Sequence, residues 1–259
     1  TSKTIYIIKM RKILFILSVA ILFLSSCSSD SETNTNSGVL IKKIVSISEG
    51  SSMETNFTYN GTKLNTITVD GIRIEHFYAG DNITKIMRYN GVSLELETTY
   101  EYDNQGRVSS ELTKFYLNDF LNKVIYTYND DQTITFQEYF GSSNPPTNLG
   151  DTGTINKTSS GEISQIATYN QSVFSGRQTN TYDAKNSIFK KITGYDKLPR
   201  QFAKFHNQLT TNSYNSANEL ESNSTFEYNY SSSNFPANCT QLFYQNGNLL
   251  NTIEINYTY

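Results

Sequence analysis

The chain has 259 residues, a formal net charge of -3 and 17% charged residues, so it has neither the charge density of a disordered polyelectrolyte nor the basic excess that neutralises a phosphate backbone. These bounds argue against a nucleic-acid partner. With 19 Tyr and 15 Phe but 4 Pro and no Trp, the text favours strands, and the length suffices for one large all-β domain with a sizeable core.

The first elements in chain order are targeting signals. Thr1 stands where an initiator is expected, which marks residues 1–9 as an over-extended start before Met10. Arg11 and Lys12 then precede the apolar run Ile13 to Leu24, too short for an ordinary span and suited to a signal-peptide core, so residues 10–26 are predicted to be a lipoprotein signal peptide. The run ends in Leu24-Ser25-Ser26-Cys27, which resembles the bacterial lipobox. Cys27 is the predicted lipidation site, with a secretory signal beside a chance cysteine, or an uncleaved anchor helix, as the alternatives. Each buried methylene contributes about 0.8 kcal/mol, so several acyl chains anchor where one holds only reversibly.

Residues 27–38 have the Ser, Asn, Thr and Gly composition of a flexible tether. Asp30 and Glu32 within it resemble the surface-export signals of Bacteroidota lipoproteins. The expected location is the outer membrane, lipid-anchored, with the cell surface favoured over the periplasmic face. The second cysteine, Cys239, reads as a small buried residue of a strand, an intermolecular disulfide being the alternative.

From residue 39 the same phrase returns with variation. FTYNGTKLNTITVDG begins at 57, TYEYDNQGRVSSELTKFY at 99, IYTYNDDQTITFQEYFG at 125 and TNTYDAKNSIFKKITGY at 179. Each unit is an aromatic-ended strand, a turn of Asn, Asp, Gly, Ser or Lys, and a second strand, which makes one β-hairpin per repeat. In a strand, residues two apart share a face, so Tyr100 and Tyr102, Tyr126 and Tyr128, Tyr228 and Tyr230, and Tyr257 and Tyr259 form same-face pairs. Such pairs are expected to hold neighbouring hairpins together; an exposed platform for sugars or peptides is the competing reading.

The sequence Tyr102-Asp103-Asn104-Gln105-Gly106-Arg107 resembles the Tyr-Asp repeats of the Rhs/YD type. From the lipobox to the C-terminus the chain is similar to flavobacterial-type outer-membrane lipoproteins of the Bacteroidota, a likeness carried also by residues 182–195 and 230–236. That resemblance brings no assigned activity with it. The predicted architecture is all-β: repeated hairpins forming one large twisted antiparallel meander sheet of about 12 to 14 strands, curling toward a half-barrel. Residues 39–259 are read as a single domain, with a short helical or irregular cap near 186–208, a long loop from Pro145-Pro146 to Gly153, and the final residues 256–259 paired inside the sheet.

Chemistry-bearing constellations are sparse. His76 and His206 fall in separate repeats, His76 on an expected solvent face and His206 in the cap, and no further ligands assemble a zinc site around either. Glu95 and Glu97 on one strand face, or Asp130-Asp131 in a turn, supply carboxylates for hydrolysis or calcium only if distant acids converge; a solvated face and a turn former are the plainer readings. No catalytic group, metal or cofactor is therefore expected. The expected function is a non-enzymatic binding or interaction scaffold whose partners are the membrane, through the anchor, and a glycan, a peptide or another envelope protein. A periplasmic carrier of an apolar ligand and a carboxylate-dependent hydrolase are the alternatives.

Overall fold

The computed structural model describes residues 39–259, which form a sixteen-stranded closed barrel. The strands are β1 (Lys43–Ser48), β2 (Ser51–Asn60), β3 (Lys63–Val69), β4 (Ile72–Ala79), β5 (Asn82–Asn90), β6 (Ser93–Tyr102), β7 (Val108–Phe115) and β8 (Phe120–Tyr128). The second half adds β9 (Ile134–Gly141), β10 (Asn148–Lys157), β11 (Ile163–Asn170), β12 (Val173–Tyr182), β13 (Gln208–Tyr214), β14 (Leu220–Tyr230), β15 (Pro236–Gln245) and β16 (Asn248–Thr258). Every strand pairs antiparallel with its sequence neighbours, and β1 with β16 closes the ring. Closure pairs both edges of every strand within residues 39–259.

The all-β meander of hairpins is as the sequence implied, and the last residues do pair inside the sheet. Three expectations are corrected. The sheet is a full barrel of sixteen strands, not a half-barrel of 12 to 14, because Lys43–Ser48, a short strand at the start of the described residues, finds β16 across the ring. The Pro-rich loop is limited to residues 142–147, with a cis Asn144–Pro145 bond, and the Gly- and Asn-containing text after it is β10. The cap is irregular, its one regular piece a 3-10 turn at Tyr195–Lys197, and it is an internal plug of the barrel.

Successive turns alternate between two rims. At one rim the turns include Glu49-Gly50, Asp70-Gly71, Gln171-Ser172 and Asn246-Gly247, in each of which both residues have positive φ. Such pairs match the right-handed twist of the strands they join. The other rim carries longer turns such as Asp103–Arg107 and Asn129–Thr133, closed by Asp103 N–H to Arg107 O at 2.9 Å and Asn129 N–H to Thr133 O at 2.9 Å. The connection from β12 to β13 leaves this second rim and folds inward, and the chain also enters and leaves here, since Lys43 pairs with Thr258. We call it the plugged rim and its opposite the far rim.

Register assigns each side chain to a face, because directly paired residues point the same way. The inward rungs include Phe57, Ile67 and Ile74 across β2 to β4, and Ile134, Ile155 and Ile166 across β9 to β11. One outward rung runs Thr58, Thr66, Glu75, Met87, Glu97 and Lys114 across β2 to β7, and another runs Thr127, Thr135 and Thr154 across β8 to β10. These inward rungs are apolar and these outward rungs mostly polar.

The plug completes the core. Ile188, Phe189, Ile192, Tyr195 and Leu198 pack with Ile41, Ile44, Leu64, Ile83, Cys239 and Ile255, and Phe202 packs in a second cluster with Val108, Val124, Ile134 and Ile163. Burying each large apolar side chain contributes about 1.5–3 kcal/mol. The plug turns at Gly194 with φ 83, where a Cβ would lie 2.9 Å from Asp81 O. The left-handed backbone and the close approach to the β4–β5 turn both call for glycine at that position.

Candidate functional site

The repeated tyrosine pairs all face inward, toward the core. A tyrosine ends many of the strands near the plugged rim, directly after a register shift at Tyr59, Tyr78, Tyr102, Tyr182 and Tyr230 and without one at Tyr128. Its hydroxyl then clasps the backbone where the preceding strand begins. Tyr59 donates to Ile41 O at 2.8 Å, Tyr102 to Ile83 O at 2.7 Å, Tyr128 to Val108 O at 3.0 Å, Tyr182 to Ile163 O at 2.9 Å and Tyr259 to Pro236 O at 3.0 Å. Tyr78 instead accepts from Leu64 N–H at 3.1 Å, and Tyr230 donates to Asp183. The bulge re-aims the ring, and the hydroxyl satisfies a backbone group left over at the strand end. The hairpin-joining expectation is met, by a ring-to-backbone clasp more than by ring-on-ring contact.

In the turn 103–107, Asp103 accepts from Gln105 N–H, Arg107 N–H and Arg107 Nε at 2.9, 2.9 and 2.7 Å. The Arg107 guanidinium lies 4.2 Å from the centre of the Tyr128 ring. The Asp103 carboxyl is held below its usual pKa by the Arg107 backbone hydrogen bond, with the Arg107 side chain and Gln105 N–H adding to it. The Tyr-Asp-x-x-Gly-Arg phrase is thus one turn clamped to the next hairpin.

Among the sequence-nominated groups, His76 is inward and buried, contrary to the expected solvent face; Phe77 takes the outer side. Its Nε2 lies 3.0 Å from the Tyr195 hydroxyl of the plug, and burial depresses its pKa to about 4. Glu95 and Glu97 do not share a face, because a bulge separates them: Glu95 binds Arg88 and Asn90, while Glu97 pairs with Met87 on the outer wall. Asp131 accepts from Thr133 N–H at 3.0 Å and its hydroxyl at 2.6 Å, as a turn former does. Cys239 is a buried free thiol among apolar neighbours, and burial pushes its pKa up to about 12. Cys27, the predicted lipidation site, lies outside the described residues.

The inward charged groups converge on the plug, where no sequence motif announced them. Glu111 of β7 and Glu138 of β9 flank Val124 of β8 on the inner wall. Arg200 of the plug meets Glu138 at 2.7 Å and Glu111 at 4.0 Å, and its guanidinium lies 4.3 Å from the centre of the Phe136 ring. Burial raises the Glu111 pKa, against the pull of Arg200. Arg200 and Glu138 retain 30% and 24% side-chain exposure, and Glu111 retains 16%, so water reaches this cluster inside the barrel. Phe115, Phe120 and Phe140 continue the same inner wall toward the far rim, with successive ring centres 6.1 and 6.0 Å apart.

Glu162, fully buried, fixes the other end of the plug. Its Oε1 accepts from Phe205 N–H and His206 N–H, both at 2.7 Å, and its Oε2 accepts from Lys204 N–H at 3.0 Å. The facing wall of β12 to β14 is lined by amides and hydroxyls: Asn180 Oδ1 accepts from Gln178 and Gln208 at 2.9 and 2.7 Å and from Thr211 at 3.1 Å. The lumen therefore has an aromatic side, an amide side and a charged floor. The one advance signal for the floor was Glu138, an acid in the register of Ile134 and Phe136.

This architecture, a sixteen-stranded meander closed on itself, defines the chain as a porin-like β-barrel in fold. It is similar to a porin-like protein from Bacteroides vulgatus, with a TM-score of 0.55 and 14% identity over 85% of this chain and 98% of that one. A porin-like protein from Bacteroides uniformis matches with a TM-score of 0.51 and 11% identity over 84% of this chain and 96% of that one. No protein-family model and no curated protein matches the sequence.

Proposed function

We propose that the chain is a non-enzymatic binding scaffold of the cell envelope, tethered to the outer membrane through lipidated Cys27 and standing in water beside the bilayer rather than spanning it. The polarity of the wall carries this reading. Lys43, Arg73, Lys85, Lys114, Lys123 and Arg177 all take outward register positions. Outward ion pairs join Lys43 to Glu54 at 2.9 Å and Arg73 to Glu75 at 2.8 Å. A lipid-facing Lys or Arg costs about 2–4 kcal/mol at the bilayer midplane. Several together would consume the roughly 5–15 kcal/mol by which a domain is stable.

The plug argues against conduction, since it fills the lumen at one end with a packed core. The Arg200 guanidinium, ion-paired with Glu138 and close to Glu111, leaves that acid pair poorly placed for hydrolysis. The aromatic and amide walls suit a polar ligand with apolar faces, such as a glycan or a peptide, and the Tyr-Asp turns of the repeat are its framework. Tether composition favours display at the cell surface.

The test uses the mature polypeptide, residues 28–259, purified without acyl chains. It is expected to be monodisperse in detergent-free buffer and to give no channel events in planar bilayers. A requirement for detergent together with stepwise conductance would overturn the reading in favour of a pore.

A further inference from the structure

Most of the exposed apolar side chains are gathered at one end of the barrel, with Phe77 and Ile125 on the outer wall as exceptions. Val92 and Leu117 are 95% and 93% exposed, and Leu149 and Val173 are each 70% exposed. With the half-exposed Leu220 and Leu249, they lie in or beside six of the far-rim turns, whereas among the described residues no exposed large apolar side chain falls in the turns of the plugged rim. A second feature sits one rung back. Tyr89, Tyr139, Tyr169, Tyr214 and Tyr244 are outward-facing, and each is paired with a leucine or phenylalanine of the adjoining strand. Beyond that rung the outer wall is mostly Thr, Asn, Glu and Lys, with Phe77, Met87, Leu112 and Ile125 as apolar positions among them.

We infer that the far rim docks on a zwitterionic lipid surface, with its aliphatic tips in the acyl boundary and its tyrosine ring at headgroup depth. The order of residue types along the barrel axis follows the order of layers in a bilayer interface, where amphipathic tyrosine belongs between hydrocarbon and water. The tips are spread over six separate turns around the ring of strands. Charge narrows the choice: Glu49, Asp70, Asp119, Glu219 and Glu221 lie in or next to the far-rim turns, against Arg73 and Lys114 on the basic side, so acids prevail there, two apposed rims repel and an anionic surface is disfavoured.

The tether permits the geometry. Residues 28–38 span up to about 40 Å when extended, while a tilted strand of this length covers roughly 25 Å of barrel height. The chain enters at the plugged rim, so a lipid anchor can still let the far rim rest on the same membrane.

This inference rests on the water-facing reading of the wall, and the experiment separates the two. Residues 28–259 would be floated with vesicles of phosphatidylcholine and phosphatidylethanolamine. The comparison is Val92→Ser/Leu117→Ser/Val173→Ser, whose substitutions touch exposed tips and are checked by thermal melting. The chain has no tryptophan, so Leu117→Trp and Asn104→Trp report the two rims separately by quenching with brominated lipid. Expected are flotation of the parent, at least a tenfold loss in the triple variant, and quenching at 117 alone. A soluble protein that does not float, a triple variant that floats equally, or equal quenching at both positions would each overturn the inference. A concentration-dependent dimer that the triple variant dissolves, without flotation, would overturn it and assign the rim to a second copy. A need for detergent with conductance would instead refute the water-facing wall.

Discussion

At the residue scale, His76 shows how a single inward position couples stability to pH. Burial holds its folded pKa near 4, below the unfolded value of about 6.5. The unfolded state therefore binds the proton more tightly, so this stabilisation is complete above pH 6.5, falls as the pH drops toward 4 and is absent below it. The difference is worth about 3 kcal/mol. His76→Gln, which keeps a partner for the Tyr195 hydroxyl, is expected to flatten the urea midpoint between pH 7 and pH 4 relative to the parent. Parallel pH profiles for the two proteins would refute the assignment. The sequence misplaced this side chain because Glu75, His76 and Phe77 alternate without a clear apolar face, and the large Phe77 looks like the inward residue. The tyrosine pairs, by contrast, were legible, since period two and turn residues fix them to one face whatever the tertiary structure.

The plug is the element least visible in the text. Residues 186–208 break the hairpin rhythm with Lys190, Lys191, Lys197 and Arg200 interspersed among apolar residues, and polar content of that kind reads as a surface cap. What draws the segment inside is a set of partners spread over the ring: Glu138 and Glu111 for Arg200, and Glu162 for three successive backbone N–H groups. Hydrogen bonds to a buried carboxylate contribute about 1.5–3 kcal/mol each. These partners come from β7, β9 and the β10–β11 turn, so no local motif can announce them. Arg200→Met leaves Glu138 and Glu111 without their cation on a floor that is still partly hydrated, and is expected to cost about 1–3 kcal/mol. Cys239, packed in the cluster of Ile188 and Phe189, should then react faster with a maleimide under native conditions. Adding Glu138→Gln should recover part of the loss. Parental stability and labelling in Arg200→Met would remove the latch from the account.

For the whole molecule, closure was the global property the sequence concealed. It depends on pairing β1 with β16, strands more than 200 residues apart, joined by rungs such as Ile44–Tyr257 and Ser46–Ile255. Nothing near Lys43 distinguishes a sheet edge from a seam, whereas the all-β class, the hairpin repeat and the apolar-in alternation are local and were legible. Because Lys42 N–H donates to Thr258 O at 2.8 Å, the two ends of the domain are neighbours. A permutant joining Tyr259 to Val39 through a short linker and opening between Gln171 and Ser172 should fold and melt within a few degrees of the parent. The same chain opened between Leu198 and Pro199 should not, since that cut falls in the packed plug. Equal melting of both permutants would show that the plug is dispensable to the barrel.

The seam also settles how the molecule bears load. A pull on the chain before Lys43 would run along the axis of β1, and β1 is bonded on one side to β2 and on the other to β16. Force applied that way would shear two ladders at once instead of peeling one bond after another, the strongest direction the sheet possesses.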